Sequence, residues 1–267
     1  MSEQTIKIKG VDVPYTVESS SIDVKAIVET FVPWKDWVDS LDEHMHVSHV
    51  HFQSMDYKGK NVGFVKFKAD ASVGDEKKRI PGIVLLRGGA IACLIEAICD
   101  GKSYALLIEQ PRFPSGKSNF REVVAGMLDG DNHLAGSMIR EVQEEVGLTI
   151  QVDKLIDLTE LAQGPNVRGM YPSIGLCDEF IRLFLYRVEM TKTQLDSLEG
   201  RLGGLKEEGE YITLCIHPLD DLWKTEYDSK TLCCLFLREK LLAAGKLPAP
   251  IKFEDTFVQP SPSSATP

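Results

Sequence analysis

Glu141, Glu144 and Glu145 stand at i, i+3 and i+4 in the stretch AGMLDGDNHLAGSMIREVQEEVGL, which runs from Ala125 to Leu148. Apolar residues at Leu134, Met138, Val142 and Val146, with Ala135 and Ile139 beside them, repeat at helical spacing. That spacing predicts an amphipathic helix over residues 134–146 with one buried stripe, ended by Gly147. At roughly 100° per residue the three carboxylates share a sector flanking the stripe. Two costs follow: like charges at i, i+4 oppose each other by about 0.2–0.5 kcal/mol, and carboxylates in the last turn face the negative end of the helix dipole. A divalent cation reverses both, and clustered carboxylate oxygens suit hard Mg²⁺ or Mn²⁺ rather than Zn²⁺. A solvated acidic face is the bland alternative, since glutamates are mostly exposed; the surrounding pattern favours the metal site.

From Gly126, five residues lead to Asn132, seven more lead to Arg140-Glu141, and Val142, Gln143, Glu144-Glu145, Val146, Gly147 and Leu148 follow. This resembles the Nudix box, G-x5-E-x7-R-E-U-x-E-E-x-G-U with U aliphatic, at every fixed position except one, where Asn132 replaces the first Glu. The resemblance implies a loop–helix–loop that binds Mg²⁺ and hydrolyses the diphosphate of a nucleoside diphosphate linked to another group. Asn132 lies in the lead-in to the helix, where Asn is a favoured cap, and reads as a capping or loop residue.

Further segments, NVGFVKFKAD, IPGIVLLRG, LIEQPRFPSGK, AGMLD, GLCDEF and GLKEEGEYI, make the chain from about Trp34 to Leu242 resemble the nucleotide-sugar pyrophosphatases of the Nudix superfamily, notably the plant type. What the resemblance implies is an α+β fold, a Nudix-type α/β/α sandwich with a mixed sheet. It implies Mg²⁺, with Mn²⁺ as a substitute, held by Glu141, Glu144, Glu145 and the Ala125 carbonyl, and Arg140 orienting the helix carboxylates. Arg112 matches a family arginine that contacts the substrate diphosphate, and Glu122 a glutamate that usually opens E-L-P-A-G, here followed by Val-Val. The segment YPSIGLCDE at residues 171–179 matches a mobile loop whose glutamate serves as base or late metal ligand, which points to Glu179, with Asp178 as fallback. The implied activity is hydrolysis of an ADP-sugar or UDP-sugar to a nucleoside monophosphate and a sugar 1-phosphate by a homodimer. Two alternatives stay open: an ADP-ribose pyrophosphatase with the same metal helix, and a non-catalytic nucleotide-binding protein.

The elements that must position these groups are legible in part. Residues 1–80 read as a small β-rich domain with a strand near Thr5–Ile8, a helix near Val24–Phe31, and a hairpin of His49–Met55 with Val62–Ala69. Trp34 and Trp37 read as helix core, with a base-stacking role for Trp37 as the sharper option. His44, His46, His49 and His51 repeat as on a half-exposed strand, without partners at zinc spacing. Residues 81–250 read as the hydrolase domain: a central antiparallel pair turning at Asp100-Gly101, strand-like REVV, strands near Leu155–Leu161 and Phe180–Val188, and a helix near Lys230–Ala244. Residues 251–267, ending QPSPSSATP, have the composition of a disordered tail.

With 267 residues, 43% of them hydrophobic and 26% charged, the chain can bury a sizeable core. A net charge of −10 disfavours nucleic acid and anionic membranes as partners, so an anionic substrate must be drawn by local cations. Six cysteines without C-x-x-C pairs and no secretory or transit-like start point to a reducing, cytoplasmic setting. No apolar run approaches the roughly 18–20 residues of a membrane span.

Overall fold

Alternation with period two splits the apolar run of 90–99 between two faces, and both faces are covered. The structure, a computed structural model, describes residues 4–128, 134–205 and 211–253. The chain divides into two compact units, residues 1–89 with 171–180, and residues 90–170 with 181–267.

In the second unit the strands are β7 (Ala90–Cys99), β8 (Lys102–Arg112), β9 (Lys117–Glu122), β10 (Val124–Met127), β11 (Ile156–Asp157), β12 (Ile181–Glu189), β13 (Leu202–Gly203), β14 (Ile212–Pro218) and β15 (Ile251–Lys252). Its helices are α3 (Leu134–Val146), α4 (Leu158–Gln163), α5 (Lys192–Asp196), α6 (Leu222–Thr225) and α7 (Ser229–Ala243). The sheet order is β11-β12-β7-β8-β14-β13, with β10 on β7, β9 on β8 and β15 on β12. The β12–β7 and β12–β15 pairs are parallel and the others antiparallel, so the sheet is mixed. Asp100 and Gly101 form the two-residue turn between β7 and β8 with φ of 49° and 74°, the left-handed pair that a tight hairpin requires.

Ile91, Cys93 and Ile95 of β7 pack with Met138, Val142 and Val146 of α3 in one core. Ala92 and Leu94 pack with Cys234, Leu235 and Leu241 of α7 in another. A helix on each face of one mixed sheet is the α/β/α sandwich expected. Glu96 falls on the α7 face and is 0% exposed. It accepts hydrogen bonds from Arg187 Nε at 2.8 Å, Ser103 Oγ at 2.8 Å and the Arg238 guanidinium. Burial pushes this carboxyl up, but Arg238, Arg187 and Ser103 outweigh it and hold the pKa below its ordinary 4.5. Removing one partner from such a cluster strands buried charge, so Glu96→Ala is expected to cost about 3–5 kcal/mol in chemical denaturation near neutral pH. Because the folded pKa is depressed, this stabilisation is present above the ordinary pKa and lost as pH falls through the folded value. The stability gap between wild type and Glu96→Gln should therefore narrow below pH 4.5. A gap that is constant with pH would count against the charge of Glu96 as the cause.

The first unit holds β1 (Thr5–Ile8), β2 (Val11–Val17), α1 (Val24–Thr30), α2 (Val32–Ser40), β3 (Met45–Lys58), β4 (Asn61–Val73), β5 (Lys78–Ile80) and β6 (Ile83–Leu86). They form a sheet of order β1-β2-β3-β4-β5 with β6 on β4. Its core gathers Ile27, Trp34, Val50, Phe52, Val65 and Phe67. The histidines lie on β3, where His51 bonds Thr16 Oγ1 at 2.8 Å and Glu18 Oε2 at 2.9 Å.

Three expectations need correction. The boundary expected at residue 80 falls at 89, because β6 pairs with β4 of the first sheet, and residues 171–180 join the same unit. The strand expected over Leu155–Leu161 is only two residues long before α4 begins, since Asp157 accepts from Glu160 N at 2.8 Å and caps a helix there. The tail expected to be disordered from 251 begins with β15, which pairs with the edge of β12 through Val188–Ile251 and Glu189–Lys252; residues 254–267 lie outside the described residues. Asn132, the mismatched box position, also lies outside them.

Candidate active site

Helix α3 spans the predicted residues, and Gly147 at φ 71° closes it by giving its N–H to Gln143 O at 3.0 Å. Glu141 and Glu145 are four residues apart, about 40° around the helix axis, whereas Glu144 falls about 60° to the other side of Glu141. The side chains follow that arithmetic: Glu145 is 5% exposed, Glu141 is half-buried and Glu144 is exposed.

Glu145 Oε2 accepts from Ala125 N at 3.3 Å. Ala125 lies opposite Ala92 on β7, and its N–H turns away from β7 to α3. Since the N–H and C=O of one strand residue leave on the same side, the Ala125 carbonyl also faces α3. Glu141 covers the next residue, for a Cβ at Gly126 would sit 2.0 Å from Glu141 Cδ. Only glycine allows this approach. Glycines also tie the end of α3 to the sheet: a Cβ at Gly203 would lie 1.9 Å from Glu145 O, and Gly204 N donates to Glu144 O at 3.0 Å. Orphan carbonyls of the last turn are thereby satisfied.

Among the described residues no three His, Cys, Asp or Glu side chains converge as a ready-made cluster. The donor set that does come together is Glu141, Glu145 and the Ala125 carbonyl, all hard oxygens, and it fits Mg²⁺ or Mn²⁺. Glu144 stands outside that trio. Arg140 is exposed and bonds Ser137 Oγ through Nη2 at 3.2 Å.

Glu122 ends β9 and is 1% exposed. Its carboxylate receives Arg112 Nε at 2.6 Å, Gln110 Nε2 at 3.2 Å and Lys230 Nζ. Lys230 also reaches Asp228 Oδ1 at 3.0 Å, and Val123 N donates to Thr231 Oγ1 at 3.0 Å, so α7 fixes this strand end. The Arg112 side chain is 41% exposed while its Nε is held. Glu122 is thus placed to aim Arg112 from beneath rather than to meet a ligand from solvent.

Glu179, Asp178 and Trp37 belong to the first unit. Glu179 Oε1 pairs with Arg87 Nη1 at 3.0 Å, and its side chain is 15% exposed. Asp178 accepts from Arg87 N at 2.8 Å and Gly88 N at 3.1 Å, and Asp178 N and Leu176 O bond to Leu85. Burial pushes the Asp178 carboxyl above the ordinary aspartate value, against the lowering effect of those amides. A carboxylate spent on two consecutive backbone N–H groups has an evident structural task. Trp37 stacks edge-on to Phe67 at 4.9 Å and lies 5.4 Å from Trp34, so its ring is engaged in the core of that unit.

A family model for the NUDIX domain matches residues 89–233. The chain belongs to the Nudix hydrolases. It is an enzyme of that family, hydrolysing pyrophosphate bonds. Nudix hydrolase 14, chloroplastic, of Arabidopsis thaliana is 36% identical over 239 residues, which cover 86% of this chain and 77% of the relative. A solved structure described as an ADP compounds hydrolase aligns with a TM-score of 0.49 and 17% identity, over 78% of this chain and 100% of that one.

Sequence reasoning missed Lys230 and Gln110 at Glu122, and Arg87 at Glu179. Lys230 lies 108 residues from Glu122 and Arg87 lies 92 positions before Glu179, at no motif spacing. The one available signal was Asp228, a helix cap that places Lys230 in the first turn of α7.

Proposed function

We propose that this Nudix hydrolase is a Mg²⁺-dependent nucleotide-sugar diphosphatase that cleaves an ADP-sugar or UDP-sugar to a nucleoside monophosphate and a sugar 1-phosphate. The observation that carries the reading is the packing of Glu141 and Glu145 over Ala125-Gly126, in the same unit as the buried Glu122 that holds Arg112. Glu141, Glu145 and the Ala125 carbonyl would hold the cation, with Glu144 an outer contributor. When bound, a divalent cation there neutralises the diphosphate and acidifies water. Arg112 binds the diphosphate oxygens and steadies the charge that develops on them, a task suited to a guanidinium whose Nε is held by Glu122, itself bonded by Gln110 and Lys230. Glu179 accepts the proton of the attacking water, and Arg87 holds its carboxylate.

Homodimer assembly and a cytoplasmic setting belong to the same reading and rest on the sequence resemblance and composition. The Arabidopsis relative carries the word chloroplastic in its name. No helix among the described residues is long and apolar enough to cross a membrane.

The test is release of nucleoside monophosphate from ADP-, UDP- and GDP-sugars and from ADP-ribose, with and without Mg²⁺. Turnover of an ADP- or UDP-sugar that chelation abolishes is expected. Turnover of ADP-ribose alone, or of none of them, would sink the nucleotide-sugar reading. Light scattering on the eluting peak checks the dimer.

A further inference from the structure

β13 is the last strand of its sheet, paired with β14 through Leu202–Thr213 and Gly203–Ile212, and the short segment it belongs to also meets the last turn of α3. A Cβ at Gly203 would fall 1.9 Å from Glu145 O and 2.8 Å from its carbonyl carbon. Gly204, at φ 83°, gives its N–H to Glu144 O at 3.0 Å. The Arg201 guanidinium reaches the same helix end, with Nη2 3.8 Å from where a Cβ at Gly147 would stand. The segment is itself pinned to β14, since Gly200 N donates to Leu214 O at 2.9 Å and Leu214 N to Arg201 O at 2.8 Å.

Glu145 is thereby held from two directions. Its carboxylate accepts from Ala125 N at 3.3 Å, and its backbone rests on Gly203 with no room for a side chain between them. Where a helix carboxylate stands depends on where the helix backbone lies, and metal sites tolerate little error: changing a partner outside the ligand set typically costs about 10–100-fold in metal affinity. Gly203 leaves no slack. A methyl carbon needs about 3.0 Å from a carbonyl oxygen against the 1.9 Å available, so alanine would push the two backbones apart. β13 cannot retreat alone, because residues 200–203 are all bonded to or paired with β14. The displacement therefore passes to the turn that carries Glu144 and Glu145.

We propose that Gly203 and Gly204 are positioning residues for the metal: a backbone clamp that sets where the Glu145 carboxylate stands beside Ala125-Gly126, and so how tightly the site binds a divalent cation. The inference rests on Glu141, Glu145 and the Ala125 carbonyl as the metal ligands. A clamp of this kind differs from a helix cap. A cap supports the helix with or without metal, whereas the clamp is coupled to the metal, and coupling is reciprocal. Whatever factor the clamp adds to Mg²⁺ affinity, bound Mg²⁺ adds to the stability of the contact between Gly204 N and Glu144 O.

The test measures Mg²⁺ binding to the full chain without substrate, by titration calorimetry and by the rise of Tm with Mg²⁺. Gly203→Ala is expected to raise the Mg²⁺ Kd about tenfold. Gly200→Ala is the control: its φ of 74° strains an alanine, but nothing lies within 4 Å of the Cβ position. It should lower Tm and leave the Mg²⁺ Kd within about twofold of wild type. The wild type supplies a second readout that needs no variant. In amide hydrogen exchange resolved by residue, saturating Mg²⁺ should slow the Gly204 N–H about tenfold and the Gly200 N–H, bonded to Leu214 O, by less than about threefold. A Gly203→Ala protein that folds and binds Mg²⁺ like wild type overturns the clamp, as does exchange that slows equally at both amides or not at all at Gly204. Should Gly203→Ala fail to fold, the exchange measurement decides alone. A wild type that binds no Mg²⁺ by either measure overturns the metal-site reading itself, and the clamp with it.

Discussion

Glu179→Gln is expected to lower kcat by ~10²–10⁴-fold with little change in KM, the range for loss of a general base. The amide keeps the size of the side chain and one acceptor for Arg87 Nη1, which lies 3.0 Å from the native carboxylate. It cannot take a proton from water. Raising pH should restore part of the turnover as hydroxide replaces the missing base. Two companions separate catalysis from architecture. Arg87→Gln removes the ion pair but leaves the carboxylate, and so should cost less turnover than Glu179→Gln. Asp178→Asn should be mild in kcat, because the two backbone N–H groups it receives bind an amide oxygen nearly as well. An inactive Asp178→Asn enzyme, or a Glu179→Gln enzyme indifferent to pH, would mean that Glu179 is not the base.

The second large effect is expected at Glu145. Glu145→Gln should lose most turnover while folding normally, for the amide oxygen still accepts from Ala125 N. In the absence of metal the variant should be as stable as wild type or slightly more so, since the like-charge pair with Glu141 costs about 0.2–0.5 kcal/mol. Calorimetry then gives a readout independent of activity. A ligand that binds only the native state at 100 times its Kd adds about 2.7 kcal/mol, so Mg²⁺ should raise the wild-type Tm and raise that of Glu145→Gln far less. An identical Mg²⁺-dependent rise in both proteins would remove Glu145 from the metal site.

Much of the site is local, and local features are visible in sequence. The stripe Met138, Val142, Val146 must be buried wherever the helix lands, and its phase alone sets which carboxylates flank it. Gly147 announces the end of α3 by the left-handed turn it takes, and Asp100-Gly101 announces the β7–β8 hairpin for the same reason. Gly126 was legible as a motif position, but its reason, the approach of Glu141 to within a Cβ's reach, appears only in the packed structure.

What the sequence by itself determined is therefore helix α3 and the carboxylates it carries, which follow from periodicity, and the family, which follows from a spacing within about twenty residues; the layered α/β/α plan came with the resemblance that spacing carries. Only the tertiary structure decided what depends on residues far apart in the chain. It buried Glu122 under Arg112 with Lys230, 108 residues away. It also assigned residues 171–180 to the first unit, where Arg87 meets Glu179. The physical reason is common to both: a charged side chain finds its partner by the approach of elements, and alternation of apolar residues records which face is buried but not which polar group waits there.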